Sequence, residues 1–141
     1  MDTKFSVAIH TLVMFSESEK TLRSEDIAKS VNTNASYIRK VISLLKRANL
    51  LLRNQGSFEY FLTKPKEEIS LLDIYVAVQP QQLLHTHQQS NPDCPVGSHI
   101  NHVLDPIVAQ AEQALQEHLA QQTLADIIGQ IRKEIENESQ N

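Results

Sequence analysis

Apolar residues recur along this chain with a helical period, and polar clusters cut that pattern into separate elements. Phe5, Ala8, Ile9 and Leu12, with Val13 adjoining, share one side of a helix predicted over residues 3–16. Glu17 to Leu22 reads as a connecting loop. Ser24 is a suitable N-cap, and Glu25 and Asp26 bring negative charge to the first turn of a short helix, Glu25 to Val31. That helix is expected to bury Ile27, Ala28 and Val31. The polar turn Asn32-Thr33-Asn34 leads into a longer helix, Ala35 to Ala48, where Ile38, Val41, Ile42 and Leu45 fall at i, i+3, i+4 and i+7. The period then shortens. Leu50 to Arg53 and Phe58 to Leu62 read as strands joined by Asn54-Gln55-Gly56-Ser57, whose Asn and Gly tolerate the positive φ of a tight hairpin.

Lys64-Pro65-Lys66 ends the hairpin, because proline restricts the residue before it. Ser70-Leu71-Leu72-Asp73 has the form of a capping box with a shortened acid, opening a helix to about Val78 that Pro80 stops. Gln81 to Gly97 reads as the longest loop, a length typical of functional or disordered segments. A helical pattern then runs from Ser98 to Gln122. Asp105-Pro106 interrupts it, which predicts either a fresh helix from Pro106 or a kink there. Two apolar seams, Ile107/Ala111/Ala114 and Val108/Leu115/Leu119, are too wide for one contact. Thr123 to Asp126 caps a last helix carrying Leu124, Ile127, Ile128, Ile131 and Ile135. The preceding unit is too small to cover all these faces, so a homodimer interface is expected rather than an ordinary helical core.

Helix, turn, basic helix and hairpin in this order describe a winged helix-turn-helix. The expected fold is mostly α with a small β wing. Residues 1–78 form the DNA-binding domain, 79–97 a loop, and 98–141 the dimerisation and C-terminal helices. Around the apolar stripe of the second helix stand Ser36, Arg39, Lys40, Ser43, Lys46 and Arg47, a basic, hydroxyl-rich face suited to the major groove. Arg39 is placed to pair bidentately with guanine and Tyr37 to meet a phosphate or a thymine methyl, with Lys46 and Arg47 nearer the backbone. Arg53 and Gln55 are the wing candidates.

Charge agrees only once the chain is divided. Across 141 residues the net charge is −4. Residues 1–66 hold eleven Lys/Arg against six Asp/Glu, giving +5, whereas 67–141 hold two against eleven, giving −9. One half suits phosphate and the other suits solvent or a partner. No apolar run approaches the roughly 20 residues that span a bilayer, no secretory pattern opens the chain, and a single cysteine forms no internal disulfide. These features point to the cytoplasm. Neither a glycine-rich phosphate loop, a serine elbow nor a paired-carboxylate context is present, so no enzyme is expected.

The chain also resembles the Rrf-two (Rrf2) family of bacterial transcription regulators over nearly its whole length. The match is carried by Ser24-Glu25-Asp26-Ile27-Ala28, by Asn34 to Val41, by Leu44 to Leu51, and by Pro65 to Ile74. Cys94-Pro95-Val96-Gly97 and Thr123 to Ile127 complete it. The resemblance implies a homodimer joined mainly by the long C-terminal helix, with the reading helices in successive major grooves of an operator. Two departures stand out. Wings of the family commonly carry Arg-Gly and then a glycine pair; here Gln55-Gly56 and Glu59-Tyr60 occupy those places, Arg53 is the partial substitute, and a stiffer wing is expected. Cluster-binding members use three cysteines before the long helix, whereas this chain has Cys94 alone, so neither an iron–sulfur cluster nor another cofactor is expected.

Cys94, in an exposed loop near a helix start, is a candidate redox or electrophile sensor; the alternative is an inert vestige of a cluster site. His85, His87, His99 and His102 lie near it in sequence, but solvated histidines are expected there rather than a metal site. The alternative to DNA binding is a regulatory module that docks a metabolic enzyme.

Overall fold

The structure is a computed structural model that describes residues 2–79 and 84–139. Pro80, read as a helix stop, and the first residues of the long loop lie outside the described residues. Helices α1 (Lys4–Glu17), α2 (Ser24–Val31) and α3 (Ala35–Arg47) precede strands β1 (Leu51–Arg53) and β2 (Tyr60–Leu62). A 3-10 turn at Lys66–Glu68, α4 (Leu71–Val78), α5 (Ile100–Ala120) and α6 (Leu124–Ser139) follow. The mostly helical fold with a small wing is as the sequence predicts.

The apolar stripe of α3 is buried as its spacing requires: Ile38, Val41 and Leu45 are fully enclosed and Ile42 nearly so. They meet α1, α2 and α4, joining Leu12, Ile27 and Ile74 in one core. Each such side chain contributes about 1.5–3 kcal/mol on burial, so turning α3 about its axis costs several times more than a surface ion pair gains. Packing therefore fixes which face of α3 looks outward. The core does not stop at α4. Leu124 and Ile128 of α6 enter it, and the chain is stitched there by Leu71 N–H to the Gln122 carbonyl and Leu124 N–H to the Ile69 carbonyl, both at 2.8 Å.

Capping boxes open α4 and α6. Ser70 Oγ accepts from Asp73 N–H at 3.0 Å while the Asp73 carboxylate accepts from Ser70 N–H, and Thr123 and Asp126 repeat the exchange. Helix α2 departs from expectation. Its N-cap is Arg23, not Ser24, because the Asp26 carboxylate reaches back to Arg23 N–H at 2.9 Å and draws Ser24 into the first turn. The strand ladder is also shorter than predicted, pairing only Leu51 with Leu62, Leu52 with Phe61 and Arg53 with Tyr60. Phe58 and Glu59 lie outside it, although Asn54 N–H still reaches the Glu59 carbonyl at 2.9 Å.

No new helix begins at Pro106, which lies inside the continuous α5. Asp105 accepts the Thr86 hydroxyl at 2.9 Å and ties the incoming loop to the helix. The two seams of α5 part company. Leu119 is buried and Val108 and Leu115 half-buried against the protomer, while Ile107, Ala111 and Ala114 are exposed, as is Val103 one turn earlier.

Candidate nucleic-acid interface

Asn34 starts the surface helix. Its side-chain oxygen accepts from Tyr37 N–H at 2.8 Å, supplying one of the donors a helix beginning leaves unpaired. From that start, Ser36, Arg39, Lys40, Ser43, Lys46 and Arg47 all emerge exposed on the face opposite the buried stripe. Tyr37 does not stand with them. It is half-buried, packs against the core and lines a surface cleft with Thr3, Ser6, His10 and Thr33.

The wing lies beside this face and is held from behind. Tyr60 stacks at a tilt on Phe15 of α1, ring centroids 5.3 Å apart, and Glu59 accepts the Thr21 hydroxyl at 3.2 Å. Lys46 reaches toward the Tyr60 ring, 6.0 Å from its centroid, linking helix and wing. Gln55 sits exposed at the tip next to Gly56, whose φ of +80° is the left-handed geometry glycine supplies without steric cost. Arg53 is not extended from the wing: its Nε donates to the Ser57 carbonyl at 2.9 Å and its guanidinium lies over Phe58.

Two residues that the sequence does not single out for a site, Arg23 and Phe58, belong to this surface. Arg23, the cap of α2, also lies over the Phe58 ring, and Phe58 itself is 58% exposed. Arg39 faces them, its guanidinium 3.6 Å from the Glu25 carboxylate. Local sequence offers little signal for this grouping, since its members come from α2, α3, β1 and the hairpin loop. The only hint is an aromatic in a polar loop with arginines on both neighbouring elements.

Cys94 lies on the exposed loop before α5. Backbone N–H groups of Gly97 and Val96 donate to its sulfur and hold the thiol below its ordinary pKa. That turn needs glycine at 97, where a Cβ would stand 2.6 Å from the Asn91 carbonyl oxygen. His99, at the N-cap of α5, bonds through Nδ1 to the Pro95 carbonyl at 2.7 Å, and His87 bonds to Ser90 Oγ at 2.9 Å. His85 and His102 are exposed. Among the described residues no three His, Cys, Asp or Glu side chains converge to hold a metal. No helix among them is long and apolar enough to cross a membrane.

Comparison with known proteins agrees with this architecture. A family model described as Rrf2, iron-dependent transcriptional regulator, matches residues 1–130. A Bacillus subtilis (strain 168) protein, provisionally named HTH-type transcriptional regulator YwnA, is 41% identical over 132 residues, spanning 93% of this chain and 98% of its own. A crystal structure described as that of a provisional DNA binding protein shares 40% identity and a TM-score of 0.75, covering 89% of this chain and 99% of that one. A provisional transcriptional regulator from Lactobacillus plantarum shares the fold, with a TM-score of 0.78 over 99% of both chains at 22% identity. The iron in the family's description finds no matching donor set in this chain. Its single cysteine supplies one thiolate, and among the described residues no three His, Cys, Asp or Glu side chains come together to hold a metal.

Proposed function

From the premise that this chain belongs to the Rrf2 family of transcription regulators, which are not enzymes, we propose that it binds a two-fold-related DNA operator as a homodimer in the cytoplasm. Residues 1–78 read the DNA, 98–141 join the two protomers, and 79–97 link the two parts. The observation that carries this reading is the exposed row of Ser36, Arg39, Lys40, Ser43, Lys46 and Arg47 on a helix whose orientation packing has fixed. Ser36, Arg39 and Lys40, nearest the helix start, address base edges; Lys46 and Arg47 address phosphates, with Gln55 and Arg53 following from the wing. Tyr37 contributes through position rather than reach. The unpartnered apolar row of Val103 and Ile107 on α5, with Ala111 and Ala114, supports pairing through that helix.

Cys94 adds a signal input in this reading. Its thiolate attacks a peroxide oxygen, forming an S–O bond as the O–O bond breaks and hydroxide leaves, and the oxidised loop shifts α5 and releases DNA. The exposed sulfur and its two N–H donors support that step.

Selection of bound fragments from random duplex DNA, followed by titration of the winning fragment against salt, tests the main reading. A log–log slope steeper than about −5 is expected if six phosphates are neutralised. Failure to enrich any sequence, with weak and salt-insensitive binding, overturns it and favours a protein-docking module.

A further inference from the structure

Phe58 has no structural reason to be aromatic where it stands. It is 58% exposed, lies outside the strand ladder and adds nothing to the core. What it does hold is charge. The guanidinium carbons of Arg23 and Arg53 lie 5.3 and 5.2 Å from its ring centroid, and Arg53 is further pinned by its bond to the Ser57 carbonyl. These residues line one cleft of about 370 Å³ together with Ser24, Glu25 and Arg39. Three guanidinium groups therefore face a single carboxylate, and that carboxylate is engaged 3.6 Å from Arg39. The other acids nearby are turned elsewhere, Asp26 to the Arg23 backbone N–H and Glu59 to Thr21. Two like charges gathered on one ring repel each other, and cation–π attraction at an exposed site offsets that repulsion only weakly. The cleft is therefore cationic.

We propose that this cleft binds one backbone phosphate of duplex DNA, gripped by Arg23 and Arg53 on the Phe58 platform. The inference rests on the reading of the chain as a DNA-binding regulator. Guanidinium groups match phosphate oxygens in a planar fork, and the ring holds both in place before DNA arrives, reducing the entropy lost on binding. Arg53 thereby acts from the root of the wing rather than from its tip. The bound phosphate also fixes the α2 start and the hairpin loop relative to Arg39, which sets the depth at which Arg39 meets the bases.

Fluorescence anisotropy of the full-length protein on its selected duplex, repeated over a salt series, tests this with R23Q, R53Q, F58L and F58Y. All three positions are exposed or loop-borne, and unfolding midpoints identify any variant that loses its fold. R23Q and R53Q are each expected to bind about tenfold more weakly near 0.1 M salt and to flatten the log–log slope, and the two together by about 0.9, the loss of their one shared phosphate contact. Their ranking of operator sequences stays that of the wild type, since a phosphate carries no base identity. F58L, which removes no charge, weakens binding in the same direction, and F58Y restores it. Wild-type affinity and slope in both arginine variants, on a wild type that binds DNA with steep salt dependence, overturn the cleft and leave DNA binding intact. A wild type that binds no DNA removes both.

Discussion

In the proposed reading, Arg39 carries two partners in turn. In the free protein its charge is balanced by Glu25 at 3.6 Å, an exposed pair worth at most about 1 kcal/mol. A guanine edge offers two acceptors in the plane of the guanidinium and about 1–3 kcal/mol of discrimination, so the exchange favours DNA. The Glu25 contact keeps the side chain near its working position without trapping it. Cys94 is the other residue whose surroundings alter its chemistry. Two N–H donors favour its thiolate, so alkylation by iodoacetamide is expected to reach half its maximal rate at a pH below that of an unstructured cysteine peptide. If that thiolate is the sensor, peroxide lowers operator affinity in the wild type and leaves Cys94→Ser unaffected. Equal loss in both proteins removes the sensor and leaves an inert remnant.

Among the elements, α1 does more than cover the reading helix. Its last residue, Glu17, meets Lys66 from the turn after the wing at 3.2 Å and Arg132 from α6, so three distant segments share one carboxylate. Burial alone pushes the Glu17 pKa up, but hydrogen bonds from Ser16 and Lys66 and the charges of Lys66 and Arg132 outweigh it and hold the group below its ordinary value. A depressed folded pKa means stability that is fully present above the unfolded value, about 4.3, and lost as pH falls through the folded one. Glu17→Gln is expected to cost about 1 kcal/mol at pH 7, discounted for its partial exposure, and the deficit should vanish near pH 3. Urea unfolding of both proteins at the two pH values checks it; an undiminished gap in acid assigns the loss to packing. Helix α5 teaches a different lesson. Proline inside it costs a backbone bond, yet the helix continues for about four more turns to Ala120, held on α4 by the buried bond from the Tyr75 hydroxyl to the Glu112 carboxylate, with the incoming loop tied to Asp105.

On the scale of the whole molecule, charge and hydrophobicity are segregated. Four of the eleven cations of the first half lie on α3 and Arg53 lies on the wing, and seven of the eleven acids of the second half lie on α5 and α6. In the proposed reading, this uneven charge favours approach of DNA by the basic part before any base is read. Exposed apolar side chains also occur on the wing, α4 and α6, but on α5 Val103, 58% exposed, and Ile107, 57% exposed, stand one turn apart in a row. Ile107→Glu is expected to shift sedimentation from dimer toward monomer mass and to weaken operator binding by about a hundredfold or more, because one half-site is lost. Its unfolding midpoint at high dilution should match the wild type, since the side chain is not part of the protomer's core. A variant that stays dimeric places the interface on another face.

The elements were legible because they depend on neighbours in the chain. The four-residue stripe of α3, the polar turn before it and the capping boxes at Ser70 and Thr123 are local patterns of period and hydrogen-bond chemistry, and the amino acids alone determine them. The family could be recognised for the same reason. The cap of α2 was read one residue late because Ser24 is intrinsically the better cap, and only folding shows Asp26 closing on Arg23 instead. What tertiary structure decided is which distant groups meet: Tyr37 turned inward, Arg23 and Arg53 brought onto Phe58, and Glu17 set between Lys66 and Arg132. Spacing along a helix assigns a face. The residue that face encounters is fixed by how the helices cross, and that follows from burying all their stripes together in one core.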